Sequence, residues 1–333
     1  MSQIIEHDLS TVQLVPHDPE PPLPLEPAPR RRSFKGMTHE KLYKRIREGM
    51  GIGHLAAYKP WLTLKRRNSS PYSVQVVSWM PPLGRDAHYF SLGEYHTALT
   101  LLWVGVQDLR EQYPIWPVAH PHPLAGSHNA NCEEAPWSQG LLKIAQDADI
   151  LHGVEIGTKL AYVASIDLLA TPPLTRPRKI VGFSSKPIAS PSAQVKWRTL
   201  ERLELERRYL EEIGGRYFVS SSALVPRQTA ANLEAWLDCA TLDVCPQLSG
   251  QVDAFSEIVN EKADWPINQA VPAAAMACGI SSNEGWLLFR YCAWHQLIDI
   301  DPSRKIMTSH PVQAGGRQLR ERIGSQLFGV CDD

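Results

Sequence analysis

Leu160-Ala-Tyr-Val-Ala-Ser-Ile-Asp-Leu-Leu-Ala170 is the stretch that decides the fold, because its β-branched and apolar residues predict a strand. A second run of this kind, Ile180-Val-Gly-Phe-Ser-Ser-Lys186, stops at Pro187, whose ring cannot extend a strand ladder. The Pro-rich segment Thr171–Pro177 between them is short enough for a hairpin or a tight connection. We therefore expect two neighbouring strands of one sheet.

Polar residues on these two strands form the candidate site. Side chains alternate between the two faces of a strand, so Ser184 and Lys186 are expected to project one way and Ser185 the other. Asp167 on the first strand would then face Ser184-x-Lys186 on its neighbour. An acidic residue facing such a lysine is typical of metal-dependent nucleases that hydrolyse phosphodiesters. The pattern predicts a nuclease core, with Glu94 as its second acidic residue.

Phosphodiester hydrolysis requires an oriented water and relief of negative charge in the transition state. Mg²⁺ supplies much of this, and carboxylate oxygens hold it while leaving positions for water. We expect Asp167 and Glu94 to be metal ligands, with the backbone carbonyl of Ser185 as a third oxygen and Mn²⁺ able to substitute. Lys186 would position the attacking water.

Each of these residues also has an ordinary structural interpretation. Glu94 follows Ser91 at the spacing of a capping box, in which its carboxylate bonds back to the Ser91 amide at the start of a helix. Asp167 alone would bond a turn at a strand end, and Lys186 alone would be a solvated strand terminus. Only the combination of the three, in its sequence context, favours a catalytic site.

Four blocks of sequence provide that context. They resemble the TnsA endonuclease subunits of heteromeric Tns transposons and occur in that family's order, and the resemblance spans roughly residues 38 to 310. The blocks are Arg45-Ile-Arg-Glu-Gly-Met-Gly-Ile-Gly-His54, Tyr58-Lys-Pro-Trp-Leu-Thr63, Leu109-Arg-Glu-Gln-Tyr-Pro114 and Arg198-Thr-Leu-Glu-Arg-Leu-Glu-Leu-Glu-Arg-Arg-Tyr209.

The resemblance implies an α/β fold, in which a restriction-endonuclease-like N-terminal domain (a mixed sheet flanked by helices) precedes a small winged-helix C-terminal domain. It also implies an enzyme that cuts the 5′-end strand of transposon-end DNA, while a TnsB-type transposase cuts and joins the 3′ ends. The C-terminal domain would bind a TnsC-type ATP-dependent regulator.

Carried over residue by residue, the family's glutamate and aspartate fall on Glu94 and Asp167, and its Gln-Val-Lys falls on Ser184-Ser185-Lys186. Ser184 departs from the family, because a serine is shorter than the amide and uncharged. We expect a weakened contact at Ser184 and retained nuclease activity. The alternative is an impaired nuclease fold that serves as a scaffold between transposase and regulator. Glu206 is a further acidic candidate, although a salt bridge on a charged helix face is favoured there.

We predict four segments: a disordered Pro-rich arm over residues 1–37, the catalytic domain over 38–225, the winged-helix domain over 226–310 and a tail over 311–333. The predicted elements of the catalytic domain are helices over 38–49, 91–104 and 197–213, and strands over 61–64, 72–80 and 216–220 in addition to the two quoted above.

The winged-helix prediction is based on helices over 252–261, 267–277 and 282–295, followed by a hairpin of residues 297–300 and 305–308. The third helix is rich in Trp, Leu and Phe and carries Arg290 as its one definite cation, whereas a recognition helix presents several polar side chains to DNA. We expect it to be buried or to face a protein. The alternative, a DNA-reading regulator with a decayed nuclease domain, requires sequence-specific binding by residues 226–333.

A polar stretch over residues 119–140 carries His120, His122, His128 and Cys132, which are residue types that bind zinc. Their spacing matches no standard zinc finger, and the surrounding Pro, Gly, Ala and Asn favour a surface loop. A family-specific insertion is therefore favoured over a zinc site.

Charge and hydropathy limit the possible partners. The 34 Lys and Arg against 35 Asp and Glu give a net charge of −1, which excludes a protein that coats DNA non-specifically. DNA contact is expected at a local patch, Lys65-Arg66-Arg67, with partners delivering the enzyme to its cut site. We find no signal peptide, no apolar run of the ~20 residues that a membrane span needs, and no CxxC motif. A bacterial cytoplasmic protein with reduced thiols is expected.

Overall fold

The structure is a computed structural model, and it describes residues 37–65, 73–127, 136–155, 157–174, 179–186, 196–220 and 225–329. The predicted Pro-rich arm therefore lies outside the described residues up to position 36, as do Arg66, Arg67, His128 and Cys132. Within the described part of the chain, no helix is long and apolar enough to cross a membrane.

The N-terminal part of the structure contains two helices and a two-stranded sheet. Helix α1 (His39–Arg47) begins at Thr38, whose hydroxyl accepts a hydrogen bond from the amide of Lys41. Strands β1 (Val76–Met80) and β2 (Arg85–Tyr89) pair antiparallel. Helix α2 (Leu92–Val104) begins at the Ser91 cap and ends at Gly105, where φ is +97°. These helices start and end close to where the sequence predicts.

The central sheet has four strands, and its order is that of the chain. β3 (Asp108–Ile115), β4 (Ala164–Thr171) and β5 (Val181–Ser185) pair antiparallel, and β6 (Arg216–Ser220) pairs parallel with β5. Two helices, α3 (Leu141–Asp147) and α4 (Trp197–Glu212), lie between strands in sequence. The predicted mixed α/β architecture is confirmed, and the two strands that carry the candidate site are neighbours.

Helices cover both faces of this sheet. Leu203, Leu205 and Leu210 are buried on α4, and two of them pack in one apolar cluster with Ile166 and Leu169 of β4. Helix α2 packs on the opposite face, in a second cluster that includes Leu168 of β4. Nearly every residue of α2 is buried, as expected for a helix enclosed on all sides.

The chain after residue 225 is helical. Its helices are α5 (Arg227–Leu237), α6 (Val252–Glu261), α7 (Ile267–Ala277), α8 (Ser282–His295) and α9 (Gly316–Phe328). The three helices predicted from sequence are confirmed as α6, α7 and α8, whereas α5 and α9 were not predicted. Helix α9 lies in the segment predicted as a tail, and its Leu327 and Phe328 are buried.

The predicted wing is wrong as a hairpin, because Leu297–Ile300 and Lys305–Thr308 form no strand. Their polar backbone groups bond to other elements. The Thr308 carbonyl accepts from the amide of Asn268 at 2.8 Å, and the Asn232 side chain donates to two carbonyls of the intervening turn. The winged-helix domain and the domain boundaries therefore stay predictions.

The predicted strand at Trp61–Leu64 is also not formed. The Trp61 amide donates to the carbonyl of Gln112 at 3.2 Å, and its ring packs edge-on against Trp116. Arg45 lies 4.0 Å above the same ring. The segment is thus a partly buried irregular connection, and the packing of Trp61 rather than a strand ladder holds it in place. The next predicted strand begins at Val76.

Candidate active site

Pairing of β4 with β5 brings Asp167, Ser185 and Lys186 together. Oδ2 of Asp167 accepts from the Ser185 amide at 2.8 Å and from Nζ of Lys186 at 3.3 Å. The same Nζ donates to the Ser185 carbonyl at 3.1 Å. The ammonium group therefore lies between two oxygens that the sequence analysis assigns to a metal.

Glu94 enters the site from the first turn of α2. Its amide donates to Oγ of Ser91 at 3.2 Å, and its carboxylate accepts from the Ser91 hydroxyl and from the amide of Phe90. The capping interpretation is therefore correct in part, with Phe90 rather than Ser91 supplying the backbone N–H. Its Oε2 also accepts from Nε2 of Gln112 at 3.3 Å. One glutamate thus starts the helix and faces the site.

Gln112 on β3 joins the two acidic residues, and the sequence analysis did not identify it. Its Nε2 lies 3.4 Å from Oδ1 of Asp167 in addition to its contact with Glu94. Its Oε1 accepts from the Ser165 hydroxyl at 3.0 Å. The one signal in the sequence was its position inside the block Leu109–Pro114, which by itself assigns no role.

Burial and charge act together on the Glu94 carboxylate. Its side chain is only 4% exposed. Burial is the larger cause, and the nearby Asp167 carboxylate the second, of an increase that brings the pKa of Glu94 to about 8. Two carboxylates held this close repel each other, so a cation between them would be strongly favoured.

The oxygen atoms of the site determine whether a divalent metal fits these residues. Among the described residues no group of three or more His, Cys, Asp and Glu is arranged to hold a metal. The available oxygen donors are the carboxylates of Glu94 and Asp167 and the carbonyl of Ser185. The Asp167 carboxylate and the Ser185 carbonyl already contact a cationic group, the ammonium of Lys186. Such hard oxygen donors with open positions for water suit Mg²⁺, which retains several waters when bound. The residues therefore fit the ion.

Ser184 points away from this group toward α4. Its hydroxyl, 1% exposed, donates a short hydrogen bond to the carboxylate of Glu206. Tyr217 donates to the same carboxylate at 2.8 Å, and burial followed by the nearby Asp167 raises the pKa of Glu206. The favoured surface salt bridge for Glu206 is wrong, because this residue is on the buried face of α4.

The exposed face of α4 carries the salt bridges instead. Glu204 accepts from Arg207 at 2.8 Å and from Arg208 at 2.7 Å. Arg198 pairs with Glu201 at 2.7 Å. Most of the arginines that crowd this helix are therefore neutralised within it, and they are not a free cationic surface.

The other candidate residues lie outside the site. Lys65 is exposed, and it ends a described segment just before Arg66 and Arg67. His120 and His122 are buried, contrary to the expected surface loop, and each bonds through both ring nitrogens, to groups that include Tyr209 and the Ile213 carbonyl. Cysteines at positions 239, 245, 278 and 292 are free thiols.

The sheet is mixed and covered by helices. Asp167 on β4, Lys186 at the end of β5 and Glu94 in the first turn of α2 meet beside it, which defines an α/β protein with a nuclease-like site. No family model matches the chain. It is, however, 30% identical over 234 residues to the Transposon Tn7 transposition protein TnsA of Escherichia coli, a match that covers 70% of this chain and 75% of that protein. The chain therefore belongs to the TnsA family.

Proposed function

We propose that this chain is the endonuclease subunit of a Tn7-like transposition system, which hydrolyses the 5′-end strand at each transposon end. The observation that carries the proposal is the convergence of Glu94, Asp167 and Lys186 on one point of the fold, in a chain related to a transposition protein. Transposon-end DNA is the substrate in this proposal, and Mg²⁺ is the cofactor.

Each side chain has a defined task in the proposed reaction. Glu94, Asp167 and the Ser185 carbonyl would hold Mg²⁺, which lowers the pKa of bound water and offsets phosphate charge when present. Lys186 already donates hydrogen bonds from the edge of the group, so its ammonium is placed to hold the attacking water or to stabilise the transition-state charge. Ser184 acts indirectly, because it contacts Glu206 and not Asp167.

The proposed partners bind at surfaces outside the site. We infer that a TnsB-type transposase makes the 3′ cuts and that the helices after residue 225 bind a TnsC-type ATP-dependent regulator. Helix α8 is not built as a DNA-reading helix, since Phe289 and Trp294 are buried in the core and Arg290 is its one arginine or lysine. Lys65 and the two arginines after it would contact DNA. Binding to DNA alone would be weak at a net charge of −1.

The decisive experiment is strand-specific cleavage of DNA that carries transposon ends, with Mg²⁺, the transposase and the regulator of the same element present. We expect the wild-type chain to produce 5′-strand and 3′-strand cuts, and Asp167→Asn to lose only the 5′-strand cuts. Asp86→Asn, an exposed carboxylate on β2, is the matched control. Identical products from wild type and Asp167→Asn, with 3′ cuts alone, would identify a scaffold instead of a nuclease.

A further inference from the structure

Gln112 presents its amide nitrogen to both acidic residues of the site. Its Nε2 contacts Oε2 of Glu94 at 3.3 Å and Oδ1 of Asp167 at 3.4 Å. The contacted oxygens of both acidic residues accept hydrogen bonds, so the NH₂ end of the amide faces them. The oxygen end faces Ser165, whose hydroxyl donates to it at 3.0 Å. All of these groups are at least partly buried.

The backbone is distorted to place this side chain. Gln112 has φ +48°, a left-handed conformation that is uncommon for a residue with a Cβ and is enriched at functional sites. The ladder pairs Glu111 with Leu168 and Tyr113 with Ile166, and the position between them is occupied by Gln112 and Asp167 without regular pairing. The freed Gln112 carbonyl accepts from the amide of Trp61. Strain of this kind persists only where the surrounding structure holds it.

An amide differs from other uncharged groups because its two ends have opposite hydrogen-bonding character. A hydroxyl can donate or accept, so the Ser165 side chain can bond either end of the Gln112 amide. Rotation by half a turn would therefore keep the contact to Ser165 and present Oε1 to the carboxylates. That orientation places an oxygen beside the oxygens of Glu94 and Asp167, which is unfavourable without a metal and would become favourable with a divalent cation bound at the site.

We propose that Gln112 is a third side-chain ligand of the metal site, whose amide turns over when the divalent cation binds. With no metal bound, its NH₂ group donates hydrogen bonds to both Glu94 and Asp167. With metal bound, Oε1 faces the cation and Nε2 donates to Ser165. This inference rests on the proposed metal-dependent function, and it adds a hard oxygen ligand to the two carboxylates and the Ser185 carbonyl.

The first test is Mn²⁺ binding to the full chain by calorimetric titration. We expect Gln112→Met, which keeps the length of the side chain and removes its oxygen, to weaken Mn²⁺ binding about tenfold, by analogy with the loss of groups that support metal ligands. Gln112→Glu should bind at least as tightly as wild type, because it restores an oxygen. Gln146→Met, at an exposed position on α3, is the control and should bind like wild type.

The second test observes the amide itself. The side-chain ¹⁵N–¹H signals of Gln112, assigned by through-bond correlation to its own backbone amide, should shift on addition of diamagnetic Mg²⁺ to wild type and remain unchanged in Asp167→Asn. This measurement uses the wild-type side chain, so it holds even where Gln112→Met fails to fold.

The outcomes separate the inference from the proposed function. Mn²⁺ binding by wild type that is lost in Asp167→Asn but unaffected by Gln112→Met, with amide signals unmoved by Mg²⁺, would overturn the role of Gln112 alone. An absence of Mn²⁺ binding by wild type itself would overturn the metal-dependent function and the inference together.

Discussion

Replacing Glu94 with Gln should stabilise the metal-free protein at alkaline pH. The wild-type carboxylate is buried beside Asp167, and ionising it there is costly. Glutamine keeps the shape and an oxygen that accepts from the Phe90 amide, and it carries no charge. The substitution should therefore remove the cost of burying a charge and also remove a proposed metal ligand. Such a trade-off between stability and function is expected at a functional site.

The size of the effect follows from the pKa of Glu94, which is about 8 in place of an ordinary value near 4.5. A shift of this size corresponds to about 5 kcal/mol at most, from ~1.4 kcal/mol per pH unit. The sign follows from proton binding. The folded state binds the proton more tightly, so the stability due to neutral Glu94 is fully present below pH 4.5 and is lost as pH rises through about 8.

The assay is urea unfolding of wild type and Glu94→Gln in EDTA, at a series of pH values from 4.5 to 9. We expect the variant to become progressively more stable than wild type across this range, with the difference levelling off above pH 8. Mg²⁺ should reverse the order by stabilising wild type alone. Glu257→Gln, at an exposed position on α6, should show no such trend. A constant difference between Glu94→Gln and wild type at every pH would refute the reasoning.

Three further substitutions test the structure around the site. Arg85→Met removes the fork that bonds both oxygens of Glu111, a residue 1% exposed, and should cost about 3–5 kcal/mol of unfolding free energy in urea titrations. Tyr217→Phe removes a hydroxyl that donates to Glu206, and should lower the free energy of unfolding by about 1 kcal/mol. The loss should be larger at high pH than at low pH, because a hydrogen bond to an ionised carboxylate is stronger than one to a neutral carboxyl group. Gly51→Ala should lower thermal stability by more than about 1 kcal/mol, since φ is +80° and the added Cβ would lie 2.3 Å from a proline ring.

Local sequence rules were sufficient for much of the fold around the site. Alternation and chain breaks located β4, β5 and β6, and the serine cap with its glutamate located α2. These signals act over a few residues, so one sequence contains them. The candidate residues Asp167, Ser185 and Lys186 are brought together because their strands are adjacent both in sequence and in the sheet.

The remaining contacts depend on long-range packing that no local pattern encodes. Gln112 reaches Asp167 across 55 positions of sequence, through a left-handed backbone that periodicity cannot predict. Glu206 was assigned to a charged surface because its neighbours are charged, yet the turn of α4 carries it inward to two hydroxyls. The predicted hairpin after α8 failed for a related reason, since its apolar residues and carbonyls are used by other helices.

Helix α2 connects the site with the C-terminal helices. Glu94 lies in its first turn, and the next residue, Tyr95, donates a hydrogen bond to Glu234 of α5 at 3.1 Å. The far end of α2 shares an apolar cluster with Leu327 and Phe328 of α9. Asp167, in contrast, is fixed by the central sheet. Because packed interiors transmit displacement rather than absorb it, any shift of α2 against the sheet would change the position of Glu94 relative to Asp167. If the proposed regulator binds these helices, it is therefore in contact with the element that sets the position of Glu94, one of the two proposed metal ligands.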